Sequence, residues 1–355
     1  MTRTPLEVNP AMITNPGPQR SLRGHRPKRL SGRTAATGDY LARLAPRLTP
    51  RDRWLARLVY EHRVLTTPQL AQLAWPTLRA ANQRLLQLYR WRVLDRFQPF
   101  VTYGSAPMHY VLDVAGASVL AREDGMDIQD LGYRHDHALG IAHSLRLNHI
   151  VGTNGFFTSL IAHSRASNAQ LTAWWSEARC HEHFGDVVRP DAYGRWREDG
   201  REFEWFLEHD CGTERPADRV GAKLPHYAKL AESTGITTPV LVWTPTAQRE
   251  ARIRHAVTEA LVALTEPASV PLATTSAESS TATDPSGPAD TRWLPLTPNS
   301  RTDRRLALAE LPSAWPYLNP LATPPSPTAD SPATNQILPP LHPQATPIRN
   351  GAHQR

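Results

Sequence analysis

Three acidic side chains and one lysine are spaced for metal-assisted phosphoryl chemistry. Pro190-Asp191 opens one short apolar stretch, Glu208-His209-Asp210 closes the next, and Lys223 follows with Tyr227 four residues further on. Alternate residues of an extended strand share a face, so Glu208 and Asp210 are expected to point the same way. Lys223 and Tyr227 fall on one side of a helix that carries both. Asp191 begins its strand while Glu208 and Asp210 end theirs, so antiparallel pairing would gather all three carboxylates at one sheet edge. Carboxylates that close repel one another, and a hard divalent cation relieves the repulsion. The expected catalytic residues are therefore Asp191, Glu208, Asp210 and Lys223, with Asp191 and Glu208 as ligands of Mg²⁺ or Mn²⁺ and no other cofactor. Lys223 would orient a water or steady the phosphoryl charge. The same acids equally suit ordinary ion pairs with Arg215, Arg219 or Lys223, each worth little.

These residues need strands and helices to hold them. Strands are expected at Leu171–Ala178, Arg189–Trp196 and Glu202–His209, each bounded by polar residues or glycine. Helices are expected over Arg134–Val151, near Phe156–His163, at Pro216–Ser233 with a kink near Pro225, and at Ala247–Leu264. The run Pro239–Thr244 reads as a further strand. The order α-β-β-β-α-β follows, with a hairpin in the middle and a crossover to the last strand.

A second constellation lies upstream. Arg51–His62 puts Trp54, Leu55, Leu58 and Val59 on one helical face. Thr67 before Pro68 reads as a helix start, and that helix stops at Trp75-Pro76. Over Thr77–Arg90, Leu78, Ala81, Leu85, Leu88 and Tyr89 gather on one side, while Arg79, Gln83, Gln87 and Arg90 gather on the other with Arg84 flanking. A helix with a core face and an Arg/Gln face suits the DNA major groove, because Arg pairs with guanine or phosphate and Gln with adenine. Arg79, Gln83, Arg84, Gln87 and Arg90 are the expected DNA-binding residues. Val93–Phe97 and Met108–Leu112 then read as the two strands of a wing, and Asp113–Asp124 as a closing helix capped by Asp113. The same pattern also suits a small helical bundle or a protein-docking module.

Charge favours the DNA reading. Residues 1–110 hold 18 Lys and Arg against 5 Asp and Glu, a net +13 that leaves −6 for the other 245 residues of a chain whose total is +7. A field so concentrated attracts a polyanion. With two cysteines, Cys180 and Cys211, and no CxxC pair, neither a disulfide framework nor a conventional zinc motif is expected. Eight of the fifteen histidines lie between His135 and His209, including His135-x-His137 and His181-x-His183, and solvated or hydrogen-bonded roles suit them better than zinc. There is no GxxxxGK[ST], no GxGxxG after a strand and no GxSxG. No stretch of 18 apolar residues and no apolar leader is present, so a cytoplasmic protein without membrane partners is expected.

The ends differ in composition. Residues 1–45 are rich in Arg, Pro and Gly and read as a disordered basic arm. Residues 266–355 carry 17 of the 33 prolines among Thr, Ser and Ala and read as a disordered tail, with Trp293-Leu294-Pro295-Leu296 as the run able to dock back. Between them, residues 46–130 form the expected winged helix-turn-helix and 131–265 the expected α/β domain, a two-domain α/β fold.

The span from Arg51 to about Thr265 resembles the replication-relaxation family of actinobacterial plasmids and integrative elements. The resemblance rests on the winged-helix segment, His135 and His137 at a helix start, the run FLEHDCGTE (Phe206–Glu214), and Lys223-Leu224-x-x-Tyr227. It implies a part in plasmid replication, relaxation or transfer, with double-stranded DNA and other plasmid replication or transfer proteins as partners. It also implies a second domain similar to the PD-(D/E)XK, or restriction-endonuclease-like, fold, with Asp191 and Glu208 at its motif acids. That motif places Lys two residues after the second acid, where this chain has Asp210. Three readings follow: a DNA-binding protein that assists replication or relaxation without catalysis of its own, a metal-dependent DNA endonuclease or nickase that recruits Lys223 instead, and a transcriptional regulator.

Overall fold

The computed structural model describes residues 37–101, 104–212, 218–279, 287–296 and 304–318. Its first half is a set of capped helices around a small sheet. Thr49 caps α2 (Pro50–His62), accepting the Asp52 N–H at 3.3 Å while the Asp52 carboxylate accepts the Thr49 N–H at 2.7 Å. Thr66, not Thr67, caps α3 (Thr67–Ala74), with Gln69 closing the reciprocal bond at 2.9 Å. Thr77 caps α4 (Leu78–Arg90), and Asp113 caps α5 (Val114–Glu123) as expected. Preceding them is α1 (Gly38–Leu44), which buries Leu41 and Leu44. This short helix corrects the expectation of an unfolded arm for residues 38–44; residues 1–36 lie outside the described chain.

The expected wing strands are present as β2 (Leu94–Phe97) and β3 (His109–Leu112), and they pair antiparallel. A two-residue strand that sequence reasoning missed, β1 (Leu65–Thr66), adds to the other side of β3, giving the order β1-β3-β2.

The break expected inside the next helical region lies elsewhere. Helix α6 (His135–Gly140) passes into a 3-10 turn and ends, and Leu145 is 83% exposed. Helix α7 (Leu147–Ser164) then runs unbroken through Gly152 and Gly155. Those glycines permit close approach. A Cβ on Gly152 would stand 2.5 Å from the His209 ring.

The large sheet has the order β4-β5-β6-β7-β8-β9. Strands β4 (Ala169–Ser176), β5 (Ala192–Glu198) and β6 (Arg201–His209) form an antiparallel meander. Ser176, expected inside a strand, instead ends β4 and caps α8 (Glu177–Phe184). Helix α9 (Asp218–Thr234) runs through Pro225 and leads to β7 (Val240–Thr244), parallel to β6. The order α7-β4-β5-β6-α9-β7 is the α-β-β-β-α-β succession expected, with α8 inserted.

Beyond α10 (Ala247–Val262), the expected disordered tail is corrected. Strand β8 (Leu272–Ser276) runs parallel to β7 with every residue buried, and β9 (Leu294–Leu296) pairs antiparallel with it. Composition averaged over residues 266–355 concealed a strand whose threonines are β-branched and whose hydroxyls are satisfied. Thr274 donates to Glu250 at 2.9 Å and accepts from Arg254 at 3.0 Å. Trp293 does dock, fully buried, and Leu308, Leu311 and Trp315 follow it into the core. The remainder, 319–355, lies outside the described residues.

One hydrophobic cluster crosses the boundary expected near residue 130, joining Leu55, Leu70 and Leu85 to Phe157, Trp205 and Trp315. Helix α7 makes the join. Gln69 donates to the Val151 carbonyl at 2.7 Å, and Asn154 to the Val64 carbonyl at 2.7 Å. Aromatic rings continue it: His62 stacks on Trp174 with centroids 3.6 Å apart, and Phe157 also stacks on Trp174 at 5.1 Å.

Candidate functional site

A two-residue turn sets the geometry. Asp199 and Gly200, both in the left-handed region at φ 48° and 75°, close the β5–β6 hairpin and fix Ala192 opposite Leu207. Asp191 immediately precedes that pair, and its N–H donates to the Leu207 carbonyl at 3.1 Å, one residue before Glu208. Gly194 lets this hairpin lie close against α7, since a Cβ there would stand 2.9 Å from the Phe157 ring.

Alternation along β6 sends Glu208 toward α9, on the face of Phe206. There the Lys223 ammonium donates to both carboxylate oxygens, at 2.8 and 2.6 Å, and to the Arg189 carbonyl at 2.9 Å. The Tyr227 hydroxyl donates to the same carboxylate at 2.6 Å. Lys223 and Tyr227 thus both meet Glu208, and the Lys223 contact is also the ion pair that the alternative reading of these acids named. Asp191 has different partners: its carboxylate accepts the His209 N–H at 2.8 Å and lies 3.2 Å from His149 Nε2 on α7.

Both acids are buried, with opposite consequences. Burial raises the Glu208 carboxyl to about 7, helped by the negative charge of Asp191 and opposed by Lys223 and Tyr227. Burial raises Asp191 too, but His149 and then Lys223 outweigh it and hold that carboxyl below its usual range. Burial would lower His149, yet Asp191 lifts it to about 10.

Asp210 does not join them. It lies past the end of β6, where its N–H donates to the Trp243 carbonyl at 2.8 Å and its carboxylate takes two donors of Arg249 on α10, one at 2.7 Å. The alternation that put Asp210 beside Glu208 fails because the strand stops at His209. The structure therefore brings Asp191, Glu208 and Lys223 together and diverts Asp210 into an ion pair. Arg215, a candidate partner for these acids, lies outside the described residues. The donors fit a hard cation in type, being two carboxylates, and a Glu208 raised to about 7 is a site where added positive charge is favourable.

Two residues near this edge were missed. Cys211 Sγ lies 3.9 Å from His149 Nδ1 and 3.6 Å from His209 Nδ1. The His209-x-Cys211 spacing was visible in the chain, but His149, 62 residues from Cys211, is brought in only by the packing of α7. A cavity of about 280 Å³ adjoins the group, bounded by Glu61, Arg63, Arg146, His149, Arg189 and Asp191. Of the two His-x-His pairs, His135 is elsewhere, 3.4 Å from Asp95, whereas His181 lines that cavity.

On α4 the expected faces are largely realised. Ala81, Leu85 and Leu88 are buried; Arg79, Gln83, Gln87 and Arg90 are exposed. Leu78, expected in the core, is 50% exposed at the first helical position. Arg84 turns inward, donating to the buried Asp52 at 2.9 Å and to the Gln87 side chain at 2.8 Å. It fastens α4 to α2 and is not part of the exposed face.

The replication-relaxation family profile matches residues 57–245, more than half of the chain and all of the hairpin site, and the protein belongs to that family. No curated protein and no solved structure matches it. Among the described residues no helix is long and apolar enough to cross a membrane.

Proposed function

We infer that this protein binds double-stranded DNA of a mobile element through a winged helix-turn-helix formed by α2 to α5 and β1 to β3, and so assists replication or relaxation. The observation that carries this reading is α4, whose inner face is pinned by core leucines and by Arg84–Asp52 while Arg79, Gln83, Gln87 and Arg90 stand exposed. A rigid helix offering two guanidiniums and two amides is suited to phosphate and base edges. The basic first third of the chain supplies long-range attraction. Fluorescence anisotropy with plasmid fragments at several salt concentrations tests it; affinity independent of both salt and Arg79 would refute it.

A second reading, a metal-dependent nickase, is favoured by one contact. Lys223 reaches Glu208 from the helix, taking the place of the lysine that the PD-(D/E)XK pattern sets two residues after the acid. Asp191 and Glu208 would hold Mg²⁺ or Mn²⁺, which when bound supplies Lewis acidity to a phosphate oxygen. The chain's own contribution is to place Lys223 beside that carboxylate, to fix its position through Tyr227, and to keep both acids buried. Incubation with supercoiled plasmid and each cation, read on a gel, tests it. Nicking lost in Asp191→Ala, Glu208→Ala and Lys223→Ala supports catalysis; no cation-dependent nicking leaves DNA binding alone.

A further inference from the structure

His149, His209 and Cys211 come from a helix, a strand end and a position two residues beyond it, and they offer donor atoms that all lie within 4.8 Å of one another. For a tetrahedral zinc ion, with Zn–S about 2.3 Å and Zn–N about 2.0–2.1 Å, sulfur and nitrogen ligands stand about 3.6 Å apart. The sulfur-to-nitrogen distances here are 3.6 and 3.9 Å. The two imidazoles meet edge to face, with centroids 5.8 Å apart and planes at 83°, so both rings can turn a nitrogen toward the same point.

Asp191 adds an independent observation. With His149 Nδ1 turned to the thiol, its Nε2 faces Asp191 Oδ1 at 3.2 Å. A carboxylate on the far nitrogen of an imidazole fixes the tautomer and ring orientation that a metal requires. Gly152 is the other support, because any side chain there would strike the His209 ring.

We propose that His149, His209 and Cys211 form a binding site for a borderline-soft divalent ion, Zn²⁺ by preference, oriented by Asp191. Two imidazoles and one thiolate select this class of ion over Mg²⁺ or Ca²⁺. Three protein ligands leave a coordination position for water or for a group entering from the adjoining cavity, which His149 and Asp191 line. The site shares Asp191 with the nickase reading, as the acceptor facing His149 here and as a cation ligand there, and leaves Glu208 to Lys223.

Titration of the full chain with Zn²⁺ and with Co²⁺ tests it. One equivalent of Co²⁺ should give visible bands of tetrahedral intensity and a near-ultraviolet sulfur-to-metal charge-transfer band, both displaced by Zn²⁺. Cys211→Ser should abolish the charge-transfer band, and Asp191→Ala should weaken Zn²⁺ binding about 10–100-fold. Should Cys211→Ser fail to fold, the wild-type chain decides: bound Zn²⁺ should slow alkylation of the half-buried Cys211 roughly tenfold or more, whereas the buried Cys180 stays inert throughout. No uptake, uptake without a sulfur band, or alkylation indifferent to zinc would overturn the proposal. The last of these would leave Cys211, His149 and Asp191 as a nucleophile arrangement without metal. A hard-cation site at Asp191 and Glu208 gives no sulfur band, so the two sites fail separately.

Discussion

Arg179 on α8 donates to both carboxylate oxygens of Glu61 on α2, at 2.8 and 2.6 Å, and so ties the helical half of the molecule to the large sheet. Burial alone would raise Glu61, but Arg179 outweighs it and lowers that carboxyl to about 2 from 4.5. A depressed carboxylate stabilises the fold above its unfolded value and loses that contribution as pH falls. The melting temperature should therefore drop between pH 4.5 and 2. Glu61→Gln should flatten that limb and cost about 2 kcal/mol at neutral pH. Identical acid limbs for wild type and variant would show that the pair contributes nothing.

Glu208 behaves in the opposite sense. Its carboxyl is raised to about 7, so the folded chain holds that proton more tightly than the unfolded one. The associated stability is present below 4.5 and is lost as pH rises through 7. Lys223→Met removes the ammonium that favours the ionised form and should extend the loss to higher pH. Thermal melts of both proteins from pH 5 to 9 check this; curves that stay parallel would mean that Lys223 does not act on Glu208.

On α4, Arg79→Ala and Arg90→Ala should each weaken DNA binding by about 1–3 kcal/mol where the contact is to a base edge, with melting unchanged. Arg84→Ala should differ, because it leaves the buried Asp52 carboxylate unpaired. A loss of stability of about 2–4 kcal/mol is expected there. A gel shift alongside calorimetry separates the two effects. Arg84→Ala with normal melting and weakened binding would return Arg84 to the reading face.

Truncation separates composition from structure. A chain ending at residue 265 lacks β8, β9, Trp293 and Trp315 and should not reach the native fold. One ending at 318 keeps every described element and should melt like the full chain. Circular dichroism of the two truncated chains checks this; a cooperative transition in the shorter one would show the sheet to be complete at β7.

Much of the frame was legible because it is written locally. Helical faces, Thr and Asp caps and the Asp-Gly turn act within a few residues, so α2, α4, α5 and the β5–β6 hairpin lie near where periodicity put them. Register then carried Ala192 to Leu207, and with them the neighbouring Asp191 and Glu208 to one end of the hairpin. What stayed hidden depends on packing between distant segments. Arg249 claims Asp210 across 39 residues, and Asp52 claims Arg84 across 32. Strand β8 escaped because a threonine-rich stretch counts as polar until a neighbouring strand and the side chains of Glu250 and Arg254 satisfy its hydroxyls. His149 carries no local signal at all.

The placement of β8 also fixes an order of events during synthesis. Strand β7, which carries the buried Val240, Leu241 and Val242, lies between β6 and β8. Until Leu272–Ser276 has emerged from the ribosome, β7 presents an open apolar edge, the kind of surface on which nascent chains associate wrongly. The hairpin site can assemble before that point, since Asp191, Glu208, Lys223 and Tyr227 all precede β7 in the chain, but the sheet beneath it closes only afterwards. Slow translation between residues 244 and 272 would thus lengthen the time at risk, and the Pro-rich region that looks least like structure sets when the protein becomes safe from aggregation.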